Sequence, residues 1–250
     1  MILSKIKNFL SVLLFIIAFQ PAIAQKETKV NSFDKIIVSP NIQVTFVEGN
    51  KESVTIEKST VSNDKVHIEV NDKTLRIYLD GQKDFPKNEK TNKNGYKEKE
   101  SLYKGTVVVA TITYKTLNSL SIRGEETQIC KSLLKEEKFK LTIYCESRVI
   151  LDEVDLGQLQ CTIYDESTLE IKSGIIKSQK YIAYGESSIN GFAIRNNTTK
   201  ITAYGESHFQ INASDTIKIT AYGDAKLDYK GKAEINKGIN IGDVQITKMD

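Results

Sequence analysis

The sequence is poor in the residues that carry most enzyme chemistry. Its 250 residues include two histidines, three cysteines and no tryptophan. His67 and His208 are far apart, and neither accompanies one distinguished nucleophile, so no Ser-His-Asp or Cys-His arrangement is indicated. No phosphate-binding loop, dinucleotide fingerprint or zinc-ligand spacing occurs. We therefore expect neither catalytic residues nor a resident cofactor, and we expect that the protein is not an enzyme.

Cysteine is scarce for a chain of this length and odd in number. At least one of Cys130, Cys145 and Cys161 must therefore be unpaired within the chain. Cys145 falls at a predicted turn and Cys161 within a predicted strand, so a disulfide between them is not expected. The three side chains are better interpreted as small hydrophobic residues than as a disulfide framework.

Long hydrophobic runs are absent except near the N-terminus. The run from Phe9 to Phe19 follows Lys5 and Lys7 and precedes Ala22-Ile23-Ala24, a pattern typical of a cleaved signal peptide. Residues 1–24 are therefore predicted to be a signal peptide and the mature chain to start at Gln25. The alternative is an uncleaved N-terminal membrane anchor. No Cys follows the run, so no lipoprotein attachment site is predicted.

A strong excess of either charge is also lacking. The chain has 35 Lys and Arg against 32 Asp and Glu, and removal of the predicted signal takes away two lysines and no acids. The mature net charge is therefore about +1, which argues against a nucleic-acid-binding protein. An exported protein of the periplasm, the outer-membrane surface or the medium is predicted, and residues 25–250 form a single predicted domain.

The first part of this domain alternates apolar and polar residues, as strands with one buried face do. Segments around Ile42, Val54, Val66 and Leu75 show this period of two. Residues 83–104 interrupt it with many Lys and Glu, which predicts a charged loop insertion. Helix content should be low, and residues 132–138 are the only candidate helical turn.

A short phrase built on tyrosine and a carboxylate returns about every twenty residues from residue 144 onward. A fixed period of this length is typical of stacked structural repeats. The five copies are Tyr144-Cys145-Glu146-Ser147, Tyr164-Asp165-Glu166-Ser167, Tyr184-Gly185-Glu186-Ser187, Tyr204-Gly205-Glu206-Ser207 and Tyr222-Gly223-Asp224-Ala225. Leu120 to Glu126 resembles a degenerate first copy with Arg123 in the tyrosine position.

The residues before and after each tyrosine alternate between two faces of the predicted strands, according to whether their position is odd or even. With the tyrosine as position 0, positions −3, −1, +5 and +7 are apolar or small in every copy, which predicts that they face a core. Positions −4, 0 and +2 carry mostly Lys, Tyr and a carboxylate, so they should face outward. Position +3, mostly Ser, shares the inward parity and should tuck in at a corner, where Gly185, Gly205 and Gly223 suit unusual backbone angles.

Two all-β architectures fit a two-strand unit that cannot bury its apolar edge alone. In a single-stranded β-helix with coils of about twenty residues, equivalent strands of successive coils pair in parallel. In an antiparallel β-sandwich they pair as hairpins. Because identical residue types recur position by position, the β-helix is favoured.

These segments resemble the head GIN domain family of auto-transporter adhesins over nearly the whole mature chain. Phe33 to Ile36 and Pro40 to Val44 are similar to the opening of the family, Leu120 to Gly124 to its first glycine corner, and Asp228 to Gly231 to its closing Tyr-x-Gly. The resemblance implies an exported, β-helix-like fold and supplies no catalytic residues. Departures from the pattern are Cys145 and Asp165 in place of Gly, and the insertion at 83–104.

Two outward rows are candidates for function. An exposed strip of aromatic side chains beside lysines could bind a glycan or an envelope protein, although a ladder that only supports the stack is the alternative. A row of close carboxylates could bind calcium, or could simply be solvated. The predicted ligand-binding residues are Tyr144, Tyr164, Tyr184, Tyr204, Tyr222, Lys180 and Lys200, and the candidate calcium ligands are Glu146, Asp165, Glu166, Glu186, Glu206 and Asp224.

The function predicted from these rows is a non-enzymatic, adhesin-like protein of the cell envelope. The tyrosine row, with its Lys and Glu margins, is the predicted binding surface. One alternative is a carbohydrate-active enzyme on a β-helix, which would need two carboxylates in unlike environments. Another is a structural, self-assembling envelope protein that associates through the open edge of its last coil.

Overall fold

The computed structural model describes residues 26–82, 88–93 and 96–250, and the predicted signal peptide lies outside these ranges. Within them the chain forms a β-solenoid of about six coils, each of about twenty residues. Equivalent strands of successive coils pair in parallel. The β-helix prediction is confirmed, and the antiparallel sandwich is wrong for the repeats.

The N-terminal strands combine parallel and antiparallel pairing. The strands at residues 35–38 and 42–48 pair in parallel with those at 74–79 and 108–114. The strands at 74–79 and 108–114 pair antiparallel with further N-terminal strands. The bounds of the N-terminal strands are β1 Lys26–Lys29, β2 Lys35–Val38, β3 Ile42–Glu48, β4 Ser53–Ser59, β5 Val66–Asn71, β6 Thr74–Leu79, β7 Asn88–Lys93, β8 Tyr96–Ser101 and β9 Val108–Tyr114, with a 3-10 turn at Asn63–Lys65 between β4 and β5.

The repeat strands are longer than the sequence pattern predicts. Several run through the bend between two faces of the solenoid, although the pairing of β11 with β12 and of β15 with β16 contains register shifts. They are β10 Ser119–Arg123, β11 Thr127–Tyr144, β12 Arg148–Tyr164, β13 Thr168–Ile171, β14 Gly174–Tyr184, β15 Ser188–Tyr204, β16 Ser207–Tyr222, β17 Ala225–Gly231, β18 Glu234–Ile241 and β19 Val244–Lys248.

Each coil contributes to two faces. The segments that end at the tyrosines form one face, which we call the tyrosine face: residues 138–144, 158–164, 178–184, 198–204 and 216–222. The segments that follow each corner form the second face. On the tyrosine face the parallel register joins like positions of neighbouring coils, so Tyr184 pairs with Tyr204 and Tyr204 with Tyr222. Repetition in sequence thus becomes rows of identical side chains one strand spacing apart, about 4.8 Å.

The core lies between the two faces and is built from the predicted inward rows. Side chains at positions −3, −1 and +5 are at most 1% exposed in all five copies. Position +7 is buried in four copies, whereas Tyr229 in the fifth is only partly buried. Because every coil buries its apolar row against its neighbours, the core is one continuous column.

The corner between the faces depends on backbone angles that glycine adopts readily. Gly185, Gly205 and Gly223 have φ of 86°, 104° and 128°, and Cys145 and Asp165 occupy the equivalent left-handed conformation at 62° and 58°. A Cβ on Gly223 would lie 2.9 Å from the Cα of Gly205 in the preceding corner. Glycine therefore allows successive corners to stack closely.

One expectation for local structure is wrong, and one further segment contains strand pairing that the sequence does not predict. Residues 132–138, the candidate helical turn, lie within β11, where pairing with β12 resumes from Leu133 after a register shift. The insertion at 83–104, expected as a loop, contains an antiparallel hairpin of β7 and β8 that forms its own two-stranded sheet. Apolar periodicity is weak in both segments. Their strands form through backbone pairing, which does not require a recognisable pattern of side chains.

The stack also continues one coil beyond the last copy recognised in the sequence. Strand β18 pairs with β16, and β19 pairs with β17, both in parallel. Tyr222 is in register with Ile241, and Ile241-Gly242-Asp243 occupies the place of Tyr-Gly-Asp in the preceding coil. This glycine-aspartate pair is the sequence feature that indicates a further coil, but the coil lacks the tyrosine by which the other copies are recognised.

Candidate functional site

The tyrosine row forms an unbroken stacked ladder on the outside of the solenoid. Successive ring centroids are 4.7, 4.9, 4.9 and 5.1 Å apart from Tyr144 to Tyr222, and neighbouring rings are within 8° of parallel. Tyr184, Tyr204 and Tyr222 are 37–39% exposed, and Tyr144 and Tyr164 are half-buried. The structure therefore brings together all five predicted tyrosines, with their strongest exposure in the later coils.

Stacking decides which parts of these rings can meet a ligand. Both faces of Tyr164, Tyr184 and Tyr204 lie against neighbouring rings, and the guanidinium of Arg123 lies 5.9 Å from the ring centroid of Tyr144. The ladder thus presents ring edges and hydroxyls. Burial, with a smaller contribution from neighbouring Tyr144, raises the pKa of the Tyr164 phenol, so this hydroxyl remains a neutral donor and acceptor at physiological pH.

The lysines predicted beside the ladder lie on the same face. Lys180, Lys200 and Lys218 pair in register across three consecutive coils, four residues before each tyrosine. Lys200 and Lys218 are exposed and Lys180 is half-buried. Lys140 holds the equivalent position two coils earlier, with Gln160 between. The prediction of a cationic margin is therefore matched by the placement of these side chains.

The acidic row lies at the corner, on the other side of the ladder. Glu146, Glu166, Glu186, Glu206 and Asp224 are all exposed, as is Asp165. The part of the chain that the structure describes contains no group of three or more His, Cys, Asp or Glu side chains placed to hold a metal ion. Outward splay into water, rather than convergence, characterises these carboxylates, and calcium binding stays an untested prediction.

A shallow groove of about 460 Å³ follows the acidic row onto the second face. It is lined by side chains of the last four coils, among them Glu186, Glu206, Asp224, Asp243, His208 and Lys226. This groove is a place to look for the site of a carbohydrate-active enzyme, since several carboxylates and a histidine line it together.

The histidine of this groove contacts a carboxylate that a lysine also contacts. His208 Nε2 lies 2.8 Å and Lys226 Nζ 3.2 Å from the same carboxylate oxygen of Asp228. Burial opposes ionisation of Asp228, but these two partners outweigh it and hold the pKa of the carboxyl below its usual value. The arrangement ties together two adjacent coils of the second face, and sequence reasoning missed it because Asp228 belongs to no repeated row.

Three of the four corner serines bond to the preceding corner, in keeping with the inward parity of position +3, whereas the Ser167 hydroxyl is buried with no hydrogen-bond partner among the described residues. Ser187 Oγ donates to the carbonyl of Asp165 at 3.2 Å, and Ser207 Oγ donates to the carbonyl of Gly185 at 3.1 Å. Ser147 makes the same kind of bond to Gly124, its partner in the degenerate first copy. These hydroxyls satisfy backbone carbonyls of the preceding corner, so they are not placed as nucleophiles.

The three cysteines are free thiols in separate environments. Cys130 and Cys161 are buried and Cys145 is half-buried at its corner. Burial raises the pKa of Cys130 to about 11 and also raises that of Cys161. The prediction of small hydrophobic side chains therefore holds for the two core positions.

With this architecture in view, comparison with protein families gives one match over residues 32–233, described as "Putative auto-transporter adhesin, head GIN domain". The chain belongs to this family. A search among curated proteins finds no match. Within the described ranges, no helix has the length and apolar character needed to cross a membrane.

Several solved structures share the fold. A protein titled putative adhesin from Bacteroides fragilis has 18% identity and a TM-score of 0.74, covering 92% of this chain and 98% of its own. One of the same title from Parabacteroides merdae has 17% identity, a TM-score of 0.60 and coverage of 91% and 96%. A third, titled putative lipid binding protein, from Parabacteroides distasonis, has 18% identity, a TM-score of 0.62 and coverage of 90% and 96%. At these identities the likeness is one of fold.

Proposed function

We propose that this protein is an exported, adhesin-like binding protein of the cell envelope that acts without catalysis. Its binding surface is the tyrosine face with its lysine and glutamate margins, and its partner is a glycan or an envelope protein. The location is the periplasm, the outer-membrane surface or the medium. Membership of an adhesin family supports the class of function, and the surface is proposed from the geometry.

One observation carries the choice of surface. Five tyrosines lie in a single straight row, and the three in the later coils are more than a third exposed. Tyrosine is enriched at binding surfaces because it combines a large apolar edge with a hydroxyl at low cost in conformational entropy. A ladder that only stabilises the stacking of coils would account for the parallel tyrosine rings, but it does not require lysines in register beside them.

The test is binding of the purified protein to a broad polysaccharide array, alongside a Tyr184→Ala/Tyr204→Ala variant. We expect the variant to lose the glycans that the native protein binds. A Tyr184→Phe/Tyr204→Phe variant keeps the ring ladder and removes only the hydroxyls, so it separates the two contributions. Circular dichroism of both variants verifies that the solenoid is intact.

Two results would contradict parts of the proposal. Absence of binding to any glycan would transfer the role to a protein partner, and binding unchanged by the alanine variant would remove the tyrosine face from it. Shortening of a bound polysaccharide during incubation, detected as new reducing ends, would favour the carbohydrate-active enzyme instead. The groove beside the acidic row is where variants such as Glu206→Gln would then be made.

A further inference from the structure

All the charged side chains at the outward positions of the tyrosine face are positive. Its outward positions, four in each of the five coils, include five lysines and no aspartate or glutamate. The other outward residues are hydroxyl or amide side chains and one isoleucine, besides the tyrosines. The lysines are Lys138, Lys140, Lys180, Lys200 and Lys218.

The lysines of the later coils differ from basic residues on the second face. There, Arg148 pairs with Glu170 at 2.8 Å and Lys172 with Asp152 at 2.8 Å. By contrast, Lys180, Lys200 and Lys218 make no ion pair with any residue in the described ranges. Three uncompensated lysines, whose backbones are about one strand spacing of 4.8 Å apart, favour an anionic partner.

A shallow trough separates these lysines from the tyrosine ladder. Position −2 lies between them and carries Thr142, Thr162, Ile182, Thr202 and Thr220, all half-buried. These side chains are shorter than their neighbours on either side. The trough runs along the stack, and because position −4 and position 0 are four residues apart, it is about 13 Å wide at the backbone.

The lining of the trough repeats with the coils. A linear polymer laid along the stack therefore meets a lysine and a tyrosine hydroxyl at each coil of the later stack, with Thr202 and Thr220 between them in the last two of these coils. Neutral sugar rings recognised by stacking need free aromatic faces, and the faces of Tyr164, Tyr184 and Tyr204 lie against one another. Recognition must then come from charge and hydrogen bonds at the ring edges.

We infer that the ligand of this face is a linear polyanionic glycan, with a carboxylate on its repeating sugar, that lies in the trough along the stack axis. This inference rests on the proposed function and specifies its substrate class. The ammonium groups of Lys180, Lys200 and Lys218 bind the carboxylates, and the threonine and tyrosine hydroxyls bind the sugar hydroxyls. The acidic row lies around the corner and does not take part.

The test measures binding of the purified protein to polygalacturonate, to its fully methyl-esterified form and to the neutral glucan dextran. A Lys180→Gln/Lys200→Gln/Lys218→Gln variant is compared with Lys51→Gln/Lys58→Gln/Lys65→Gln, which removes the same charge from exposed lysines outside this face. We expect binding to polygalacturonate only, weakened on the order of tenfold in the first variant and unchanged in the second. Binding should also weaken as salt is raised.

Three outcomes overturn the inference in distinguishable ways. Equal binding of the esterified form or dextran, lost in Tyr184→Ala/Tyr204→Ala but kept in the triple lysine variant, leaves the proposed function standing without the anionic ligand. Binding of vesicles rich in anionic phospholipid, or of single-stranded DNA, as tightly as polygalacturonate shows charge attraction without glycan recognition. Binding to no glycan at all removes both this inference and the glycan form of the proposed function.

Discussion

The two ends of the solenoid finish its core in opposite ways. At the N-terminal end, β5 pairs antiparallel with β6, and β4 pairs antiparallel with β1 and β9, so added strands extend both faces beyond the first coil. Phe46 and Leu75 are fully buried there. At the C-terminal end, no strand within the described ranges pairs with the outer edges of β18 and β19, and Ile239 and Ile241 are each 63% exposed.

Exposed lysines lie at the C-terminal end of the stack, where the core has no added strands over it. Lys237 is in register with Ile219, and Lys248 is in register with Tyr229, so each occupies a row that earlier coils fill mainly with apolar side chains. A charge on an open edge discourages another strand from pairing with it. The comparison teaches that a stack of repeats needs protection at the open ends of its core. Added strands can cover such an end, or charged residues on the outermost coil can oppose pairing with another strand.

Truncation of a core side chain should separate the two ends most clearly. Phe46→Ala removes a fully buried ring at the capped end and should lower the free energy of unfolding by about 3–5 kcal/mol. Ile241→Ala at the open end should change it by less than about 0.5 kcal/mol, since the side chain is largely exposed. Denaturant unfolding of both variants measures this difference, and equal losses would show that the last coil is packed as firmly as the cap.

The sequence is sufficient for the rows but not for the ends. Parity and period predict which side chains face the core, where the corners fall and that serines tuck in there, because each depends on local alternation repeated from copy to copy. The antiparallel cap depends on which distant strand closes the first coil, and the last coil lacks the tyrosine that marks the others. The register shift beyond Ile219 has no local signature either.

For the candidate site, too, the sequence predicts the repeated rows but not the contacts between coils. The sequence predicts that the tyrosines, lysines and carboxylates form outward rows, and the structure places them so. It offers a stacked tyrosine ladder only as an alternative to an exposed binding strip, and it does not predict that the later lysines stay unpaired or that His208 and Lys226 share Asp228. These facts depend on side-chain conformation and on contacts between coils.

Substitution of a corner glycine should lower the free energy of unfolding most where successive coils stack closely. Gly223→Ala places a Cβ 2.9 Å from backbone atoms of Gly205 at φ 128°, so it should lower the free energy of unfolding by roughly 2 kcal/mol or more. Gly105→Ala is the matched control, since φ is 60° and nothing lies within 4 Å of the added Cβ. It should cost about 1 kcal/mol from backbone strain alone. Equal effects in thermal unfolding would mean that corner contact does not hold the last coils together.

Acid should weaken the open end through Asp228. Its pKa is lower in the folded protein than in the unfolded chain, so its contribution to stability is complete above the unfolded value of about 3.9 and is lost as the pH falls through the folded value. We expect Asp228→Asn to unfold more easily than the native protein at pH 6, and this difference to shrink steadily below about pH 4. A difference that stays constant from pH 6 to pH 2 would assign the effect to packing instead of ionisation.

Removal of the two lysines on the last coil should promote association of the protein through its open end. A Lys237→Ile/Lys248→Ile variant continues the apolar rows into the last coil, so its edge loses the charges that oppose pairing with a second copy. Sedimentation across a range of concentrations should show an association constant raised by up to about tenfold relative to the native protein. The control, Lys232→Ile, adds the same kind of side chain to an exposed position before β18 and should associate no more than the native protein. If the native protein already assembles as strongly as the double variant, the two lysines do not guard the edge, and the structural, self-assembling role gains support over the binding role.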